Sequence, residues 1–501
     1  MRVTPDEKLA ERDIQRGLRN VIKDGVVTQA MATLTCGVFL VTFALELGAS
    51  NVVIGLLAAL PPLLQFVQIP SVYLVERFRN RRAMTMLASL ANKSMLLLVA
   101  CIPLVIPADH RVLVLIIAIA LRSLFVSIGA CSWHSWMRDL VPQNQMGAFF
   151  SRRMRLSKIV DVPLSLLIGV YLDHWKNAFS NGLYAYTPLY FSGFFIGLLG
   201  VYYIYATPEP RIRSQSPFPF MRLLQKPFRD RNFMNLVKFM ASWSFAVNLT
   251  APFFTVYMLK RLELDLSWIV TLTALSQVVN ISFLRIWGDF SDRFSHKSVL
   301  RVSGPLFIIG ILAWTFTTLP EKHILTLPLL VVIHVVLGMA TAGVTLASGT
   351  IGLKLAPRGE ATAYLATINL VNSLSAGIAP VLGGLFADFF AQRELAITLT
   401  WLSPQRAIAF QTLNLQQWDF FFFMAFLIGL YSIHRLSTVR ESGEVKEKIV
   451  IRELVSEMRR GVKNLSSVAG LNNIALFPFS LVQTIYKNRK NRLQDRPLEK
   501  R

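Results

Sequence analysis

Ionisable side chains inside long apolar runs are the first chemistry this sequence offers. Lys93 lies 11 residues from Arg82, Arg122 lies 11 from Arg111, and Asp161 lies 12 from Asp173. At about 1.5 Å per helical residue, each is roughly 16–18 Å inside its run. A charge at the centre of a bilayer costs at least about 2.5 kcal/mol, so each needs a partner or a task. Two readings stand. In one, Lys93 and Arg122 face a positively biased cavity and bind an acidic group, while Asp161 balances one of them or carries a proton. In the other, Arg122 and Asp161 form a structural pair, and Lys93 snorkels or caps a packed interface. Uncharged groups form a second set, suited to a ligand or to helix–helix packing. Asn248 precedes Pro252, where freed carbonyls line cavities. Gln277 and Asn280 share one run, and Asn369 and Asn372, three apart, share a helix face. His334, mid-way along a run, reads as a proton site or as a packing histidine. Lys238 and Arg285 lie near run ends, where lysine and arginine snorkel. No HExxH, GxSxG, Walker A or GxGxxG occurs, and Cys36, Cys101 and Cys131 lie scattered in apolar runs. No enzyme, metal or cofactor is expected.

Helices that cross a membrane must position these groups. The 501 residues are 53% hydrophobic and only 16% charged, with a net charge of +23. A soluble domain carries about a quarter charged residues. A basic nucleic-acid-binding protein would not need apolar runs from end to end. Runs of about 20 residues, enough to cross a bilayer core, predict twelve spans. They cover 26–47, 52–74, 83–106, 112–136, 154–173, 187–206, 233–258, 267–287, 298–319, 324–350, 362–389 and 418–436. The fold class is therefore an all-α membrane protein, with twelve transmembrane helices in two pseudo-symmetric six-helix bundles. The divisions are an N-tail (1–25), a first bundle (26–206), a linker (207–232), a second bundle (233–436) and a basic tail (437–501). Lys and Arg crowd one side: the N-tail has 6 and the tail after Leu436 has 14, while all the opposite loops together hold 7. Both termini are thus expected in the cytoplasm of a cell-membrane protein.

The halves repeat. Glu76-Arg77-Phe78 aligns with Asp292-Arg293-Phe294 at an offset of 216. Pro142 aligns with Pro357, Gly169 with Gly384 and Asp173 with Asp388, all at an offset of 215. Gly288, Asp292, Arg293 and Lys297 resemble the loop signature G-x-x-x-D-R-x-G-R-K of the major facilitator superfamily. Ser295 and His296 stand where a glycine and a basic residue are usual. In the first-half copy Glu76, Arg77 and Arg81 fit, while Val72 and Arg79 replace the glycines. GIAPVLGG (Gly377–Gly384) is similar to the same superfamily's G-x-x-P-x-x-G-G helix motif. Arg122, followed by Gly129-Ala130, loosely resembles its span-four arginine motif. The resemblance implies alternating access and a gating loop. In that loop a glycine would allow close helix approach, and an arginine would pair with an acid on a neighbouring span, Asp139 in the first half.

The segment from 445 to 465 places apolar and basic residues at helical spacing, which suits a helix on an anionic leaflet. LAITLTWL and IAFQTLNL flank SPQR and read as a hairpin lid on the other side. The expected function is secondary transport of a small, acid-bearing solute, with proton coupling open. The alternative is a transporter-shaped lipid flippase or membrane assembly factor. The expected partners are the solute and anionic lipids, without nucleic acid, around a monomer.

Overall fold

A computed structural model describes residues 10–78, 80–142, 146–179, 181–210, 227–318, 324–356, 361–403 and 406–466. Eleven of the described helical stretches are long and apolar enough to cross a membrane. The twelfth span is Met146–Ala178, whose Arg152, Arg153, Arg155 and Lys158 lower its hydropathy.

In the first half, span one runs Glu11–Thr35 and Val38–Glu46, broken at Cys36-Gly37. Span two runs Asn51–Leu64 and Gln68–Phe78, joined by a 3₁₀ turn at Gln65–Val67. Pro61 and Pro62 lie just before that turn; neither supplies a helical N–H, and their rings crowd the preceding turn. Spans three to six are Arg81–Val105, Ala108–Leu140, Met146–Ala178 and Tyr186–Tyr205. In the second half, spans seven to twelve are Arg231–Lys260, Leu266–Arg293, His296–Ala313, Thr326–Leu355, Ala361–Phe390 and Trp418–Ser437. Span nine ends in a 3₁₀ stretch, Trp314–Thr318. Most spans outrun their apolar runs, and span one begins at Glu11 rather than at 26.

Packing reproduces the repeat. In the first bundle span one meets five and six, three meets four and six, and two meets four. The second bundle repeats each pair six spans later: seven with eleven and twelve, nine with ten and twelve, eight with ten. The main contacts between bundles, two with eleven and five with eight, map onto each other in the same way.

We call the side holding both described ends the terminal face and the other the hairpin face. On the terminal face each bundle is clamped by a carboxylate that follows its last span. Glu209 accepts from the N–H groups of Arg81 and Arg82 at 2.8 and 3.1 Å, at the start of span three. Glu441 accepts from those of His296 and Lys297 at 3.3 and 2.7 Å, at the start of span nine. Both carboxylates sit where the helix dipole favours negative charge. Arg81, 1% exposed, also reaches Asp139 at 2.5 Å, the Ser135 carbonyl at 3.0 Å and the Pro210 carbonyl at 2.7 Å.

The helix Glu447–Ser466 follows span twelve and docks on spans eight and nine. Val450 and Leu454 are buried there. Glu444, Glu447 and Glu453 pair with Lys297, Arg301 and Arg293 at 2.5, 3.0 and 2.9 Å. The expected lipid-facing helix thus uses its acids and part of its apolar face to hold the protein, while Ile449, Ile451 and Val455 stay exposed. Residues 467–501 lie outside the described residues.

On the hairpin face, strands β1 (Glu394–Ser403) and β2 (Arg406–Gln416) pair antiparallel, with a bulge at Ile397/Thr398. The hairpin expected from the sequence is present. It packs on span twelve, Gln416 accepts from Arg261 at 2.7 Å, and every β1 residue is exposed.

Candidate functional site

A cavity of about 1330 Å³ lies between the bundles, lined by spans one, two, four, seven, ten and eleven. Its hairpin-face end is closed by two matched latches. Asp388, ending span eleven, accepts from Asn51 Nδ2 at 2.7 Å and the Val52 N–H at 3.2 Å, at the start of span two. Asp173, ending span five, accepts from the N–H groups of Leu266 and Ser267 at 3.0 and 2.7 Å, at the start of span eight. Both join opposite bundles. Beside them, a Cβ on Gly169 would come within 3.3 Å of the Ser267 Cα, and one on Gly384 would collide with the Asn51 backbone. Toward the terminal face the Gln68–Phe78 half of span two leans on span four, and Ile69, Tyr73 and Phe78 are exposed. The cavity, which includes Ile69 and His134 at that end, opens there.

Arg122 is the one Lys, Arg, Asp or Glu side chain among the residues lining this cavity. Its Nε donates to Asn92 Oδ1 at 3.1 Å and its Nη1 to Cys36 Sγ at 3.2 Å. It forms none of the ion pairs found among the described residues. Asn248, Asn369 and Asn372 line the same space. Asn248 Nδ2 donates to the Ser244 carbonyl at 2.8 Å, while buried Asn372 Oδ1 has no hydrogen-bond partner among the described residues.

Four of the other candidates lie elsewhere. Lys93 is 2% exposed and packs among spans one, three and six, away from the cavity. Its Nζ donates to Ser89 Oγ at 2.7 Å. A Cβ on Gly200 would lie 3.1 Å from both Lys93 Nζ and Asp24 Oδ1, so these charges sit close together. Asp24 also has Arg153 at 3.7 Å. Asp161 pairs with Lys158 at 2.8 Å and accepts from Thr33 at 2.6 Å; it does not balance Arg122 or Lys93. Gln277 meets Lys158 at 3.4 Å across the bundles. His334 is a packing residue, with Nδ1 2.8 Å from the Leu330 carbonyl and its ring edge-on to Trp314.

The gating residues also rearrange. Asp139 meets an arginine of the first-half motif, Arg81, on the neighbouring span. Arg77 is exposed, and the Glu76 side chain lies outside the described residues. Asp292 is exposed, with no hydrogen bond or ion pair among the described residues, while Arg293 and Lys297 hold the chain after span twelve. Gly288 is not needed for close approach, since a Cβ there would meet Leu346 only at 3.9 Å.

Sequence reasoning missed Asp24, Arg153, Lys158, Glu209, Glu441, His134 and the break at Gly37. Two signals were readable. Glu209 stands four residues past the end of span six, and Glu441 four past the end of span twelve. Gly37 interrupts the first apolar run. The burial of Lys93 among spans, rather than at the cavity, yields a prediction. Lys93→Met should lower the unfolding temperature in detergent, with a loss of up to about 3 kcal/mol from the disturbed buried charges. Solute KM should stay within about twofold, because no ground-state contact is removed. A large KM increase in a stable Lys93→Met protein would return Lys93 to the binding site.

No curated protein matches the chain in sequence. Among solved structures it resembles the nucleoside transporter NupG, with a TM-score of 0.62 at 12% identity, over 84% of this chain and 98% of that one. It resembles a D-xylose-proton symporter with a TM-score of 0.62 at 15% identity, over 86% of this chain and 100% of that one. A POT family transporter in complex with 5-aminolevulinic acid gives 0.60 at 10% identity, over 88% and 99%. At such identities these likenesses establish the fold. The Major Facilitator Superfamily model matches residues 25–380 and 266–467. Spanning helices, paired bundles and family match agree: this chain is a membrane transporter of the Major Facilitator Superfamily.

Proposed function

We propose that the chain carries a solute with an apolar body and one acidic group by alternating access. The observation that carries this reading is Arg122, a cation without an ion-pair partner among the described residues, in the wall of a largely apolar cavity. An anion beside it offsets the cost of an unpaired charge in a low-dielectric site, whereas a cation adds to that cost. The sign expected from the sequence is kept, though Lys93 and Asp161 no longer enter the count. The uncharged asparagines Asn248, Asn369 and Asn372 suit the solute's polar edge. The Lys/Arg bias supports placing the terminal face in the cytoplasm of a cell membrane. The cavity then opens inward. The described lining holds no Asp or Glu side chain, and its one histidine is His134.

Uptake by proteoliposomes tests the reading. Acidic solutes and their neutral amides are compared, with and without a proton gradient. Arg122→Gln should reduce kcat/KM for the transported acid by about 100-fold, near the 1.5–3 kcal/mol of a charge-assisted hydrogen bond. Transport restricted to cations, or an Arg122→Gln protein as active as the parent, would overturn it.

A further inference from the structure

Spans two and eleven form one of the two seams between the bundles, and this seam is closed over only half its length. From the hairpin face inward, a Cβ on Gly384 would collide with the Asn51 backbone, one on Gly55 with the Pro380 carbonyl and one on Gly377 with the Leu63 side chain. Ser373 Oγ then donates to Gln65 Oε1 at 3.2 Å. The register makes Ile69 and Asn369 the next facing pair, four residues on along each span. They do not close the seam: both are exposed, and both line the cavity. Span two passes through Pro61, Pro62 and its 3₁₀ turn at this level, and the Gln68–Phe78 half then packs chiefly on spans three and four. That half is about 16 Å long, roughly half of a bilayer core of about 30 Å. A slot of one leaflet's depth therefore separates it from span eleven on the terminal side.

Lipid lies beside this slot. Leu374 and Ile378 of span eleven are exposed and stand outside the cavity wall. Tyr73, also exposed, continues the Ile69 face of span two by one turn. At the inner end Phe66 and Ile69 stand opposite Ala366 and Leu370, so the walls there are apolar. The other seam differs. Spans five and eight supply no residue to the described lining, and Lys158 still meets Gln277 across them at 3.4 Å. On its terminal side span five carries exposed Arg152 and Arg155 where span two carries Ile69 and Tyr73. One apolar passage thus leads from the side of the molecule to the cavity that holds Arg122.

We propose that the solute is an amphiphile, an apolar chain ending in one acid group, and that it enters sideways from the terminal-side leaflet through the slot between spans two and eleven. The inference rests on the acid-solute reading and adds to it the chain and the route. A solute free in water needs only the open end of the cavity. A chain held in the leaflet uses the slot without entering water, which would cost about fourfold in concentration per methylene. Arg122 receives the acid inside, while the chain lies along Phe66, Ile69 and Tyr73. The described lining holds no Asp or Glu to meet an ammonium, so a zwitterionic headgroup would leave its own cation uncompensated near Arg122. The acid is therefore the amphiphile's only charge.

The test uses the full-length protein in phosphatidylcholine nanodiscs. Ile69→Cys and Asn369→Cys, each alone in a cysteine-free background, carry a bimane. Replacing the acyl chains with brominated ones should cost fluorescence at both positions, because lipid reaches both. Quenching of both by aqueous iodide alone would overturn the slot and leave the acid-solute reading intact. The ligand probe is dodecanoate with a diazirine at the chain end, applied to the parent chain, so this arm stands if a cysteine variant fails to fold. Its adducts should fall within 66–73 and 366–370; adducts confined to other parts of the cavity would overturn the route. Unlabelled dodecanoate should displace the probe about tenfold better than dodecanamide, the size of one charge-assisted hydrogen bond. It should displace it at least about 100-fold better than butyrate, which is eight methylenes shorter. Phosphatidylglycerol built into the disc tells a phospholipid acid from a free one as the source. Butyrate as effective as dodecanoate would overturn the chain. Dodecanamide as effective as dodecanoate would overturn the acid-solute reading and this proposal with it, whatever the bimane shows.

Discussion

An Arg81→Met protein is expected to unfold in detergent far below the parent, with a loss of about 3–5 kcal/mol, the range for breaking one side of a buried ion pair. Arg81 is 1% exposed and joins three segments: span three, the end of span four and the chain after span six. Removing it leaves Glu209, whose side chain is fully buried, without its guanidinium partner at 3.3 Å. The backbone bonds to Glu209 remain, and they hold a charge now less well compensated. The counterpart in the second bundle should respond less. Lys297 pairs with Glu444, which is 42% exposed, while Glu441 keeps Lys354 at 2.9 Å. Thermal unfolding of Arg81→Met and Lys297→Met in one detergent checks the contrast. Equal losses would mean that the two clamps are energetically alike despite their different burial.

The second large effect concerns the hairpin-face latches. Asp173→Asn combined with Asp388→Asn should shift the protein toward opening on that face, changing the ratio of the two forms by about 10- to 100-fold. Four charge-assisted bonds to the starts of spans two and eight become weaker neutral ones. Thr255, which lines the cavity toward that end of span seven, provides the readout. A cysteine placed there in a cysteine-free background should react with an impermeant reagent from the hairpin side faster in the double variant. Unchanged labelling would show that helix packing alone, including the tight approach at Gly384, holds the face shut.

The parts legible in the sequence are those that hydropathy and duplication govern. The spans were readable because about 20 apolar residues are needed to cross a bilayer. The offset that aligned Asp173 with Asp388 pointed to matched positions, although their shared task appeared only once spans five and eleven lay beside eight and two. The hairpin was visible from composition and alternation, but its docking on span twelve was not. What a side chain faces was the least legible. A membrane span is apolar all round, so its periodicity does not separate lipid, cavity and neighbouring helix. Lys93 and Arg122 reach similar depths, yet one packs beside Asp24 and the other borders the cavity. Asp24 was assigned to the N-tail because the apolar run starts after it, although the helix had already begun at Glu11. Asp161 found its cation one turn away at Lys158, a local pairing that depth alone did not single out.

The Glu209 and Glu441 clamps also set an order for biosynthesis. Arg81 gains its full set of ligands when Glu209 and Pro210 leave the ribosome, so the first six spans can be sealed before the seventh is made. The second six are sealed only when Glu441 and Glu444 arrive, after span twelve is complete. Until then His296, Lys297 and Lys354 wait without those partners, and the later half is the one exposed longest to misassembly and quality control.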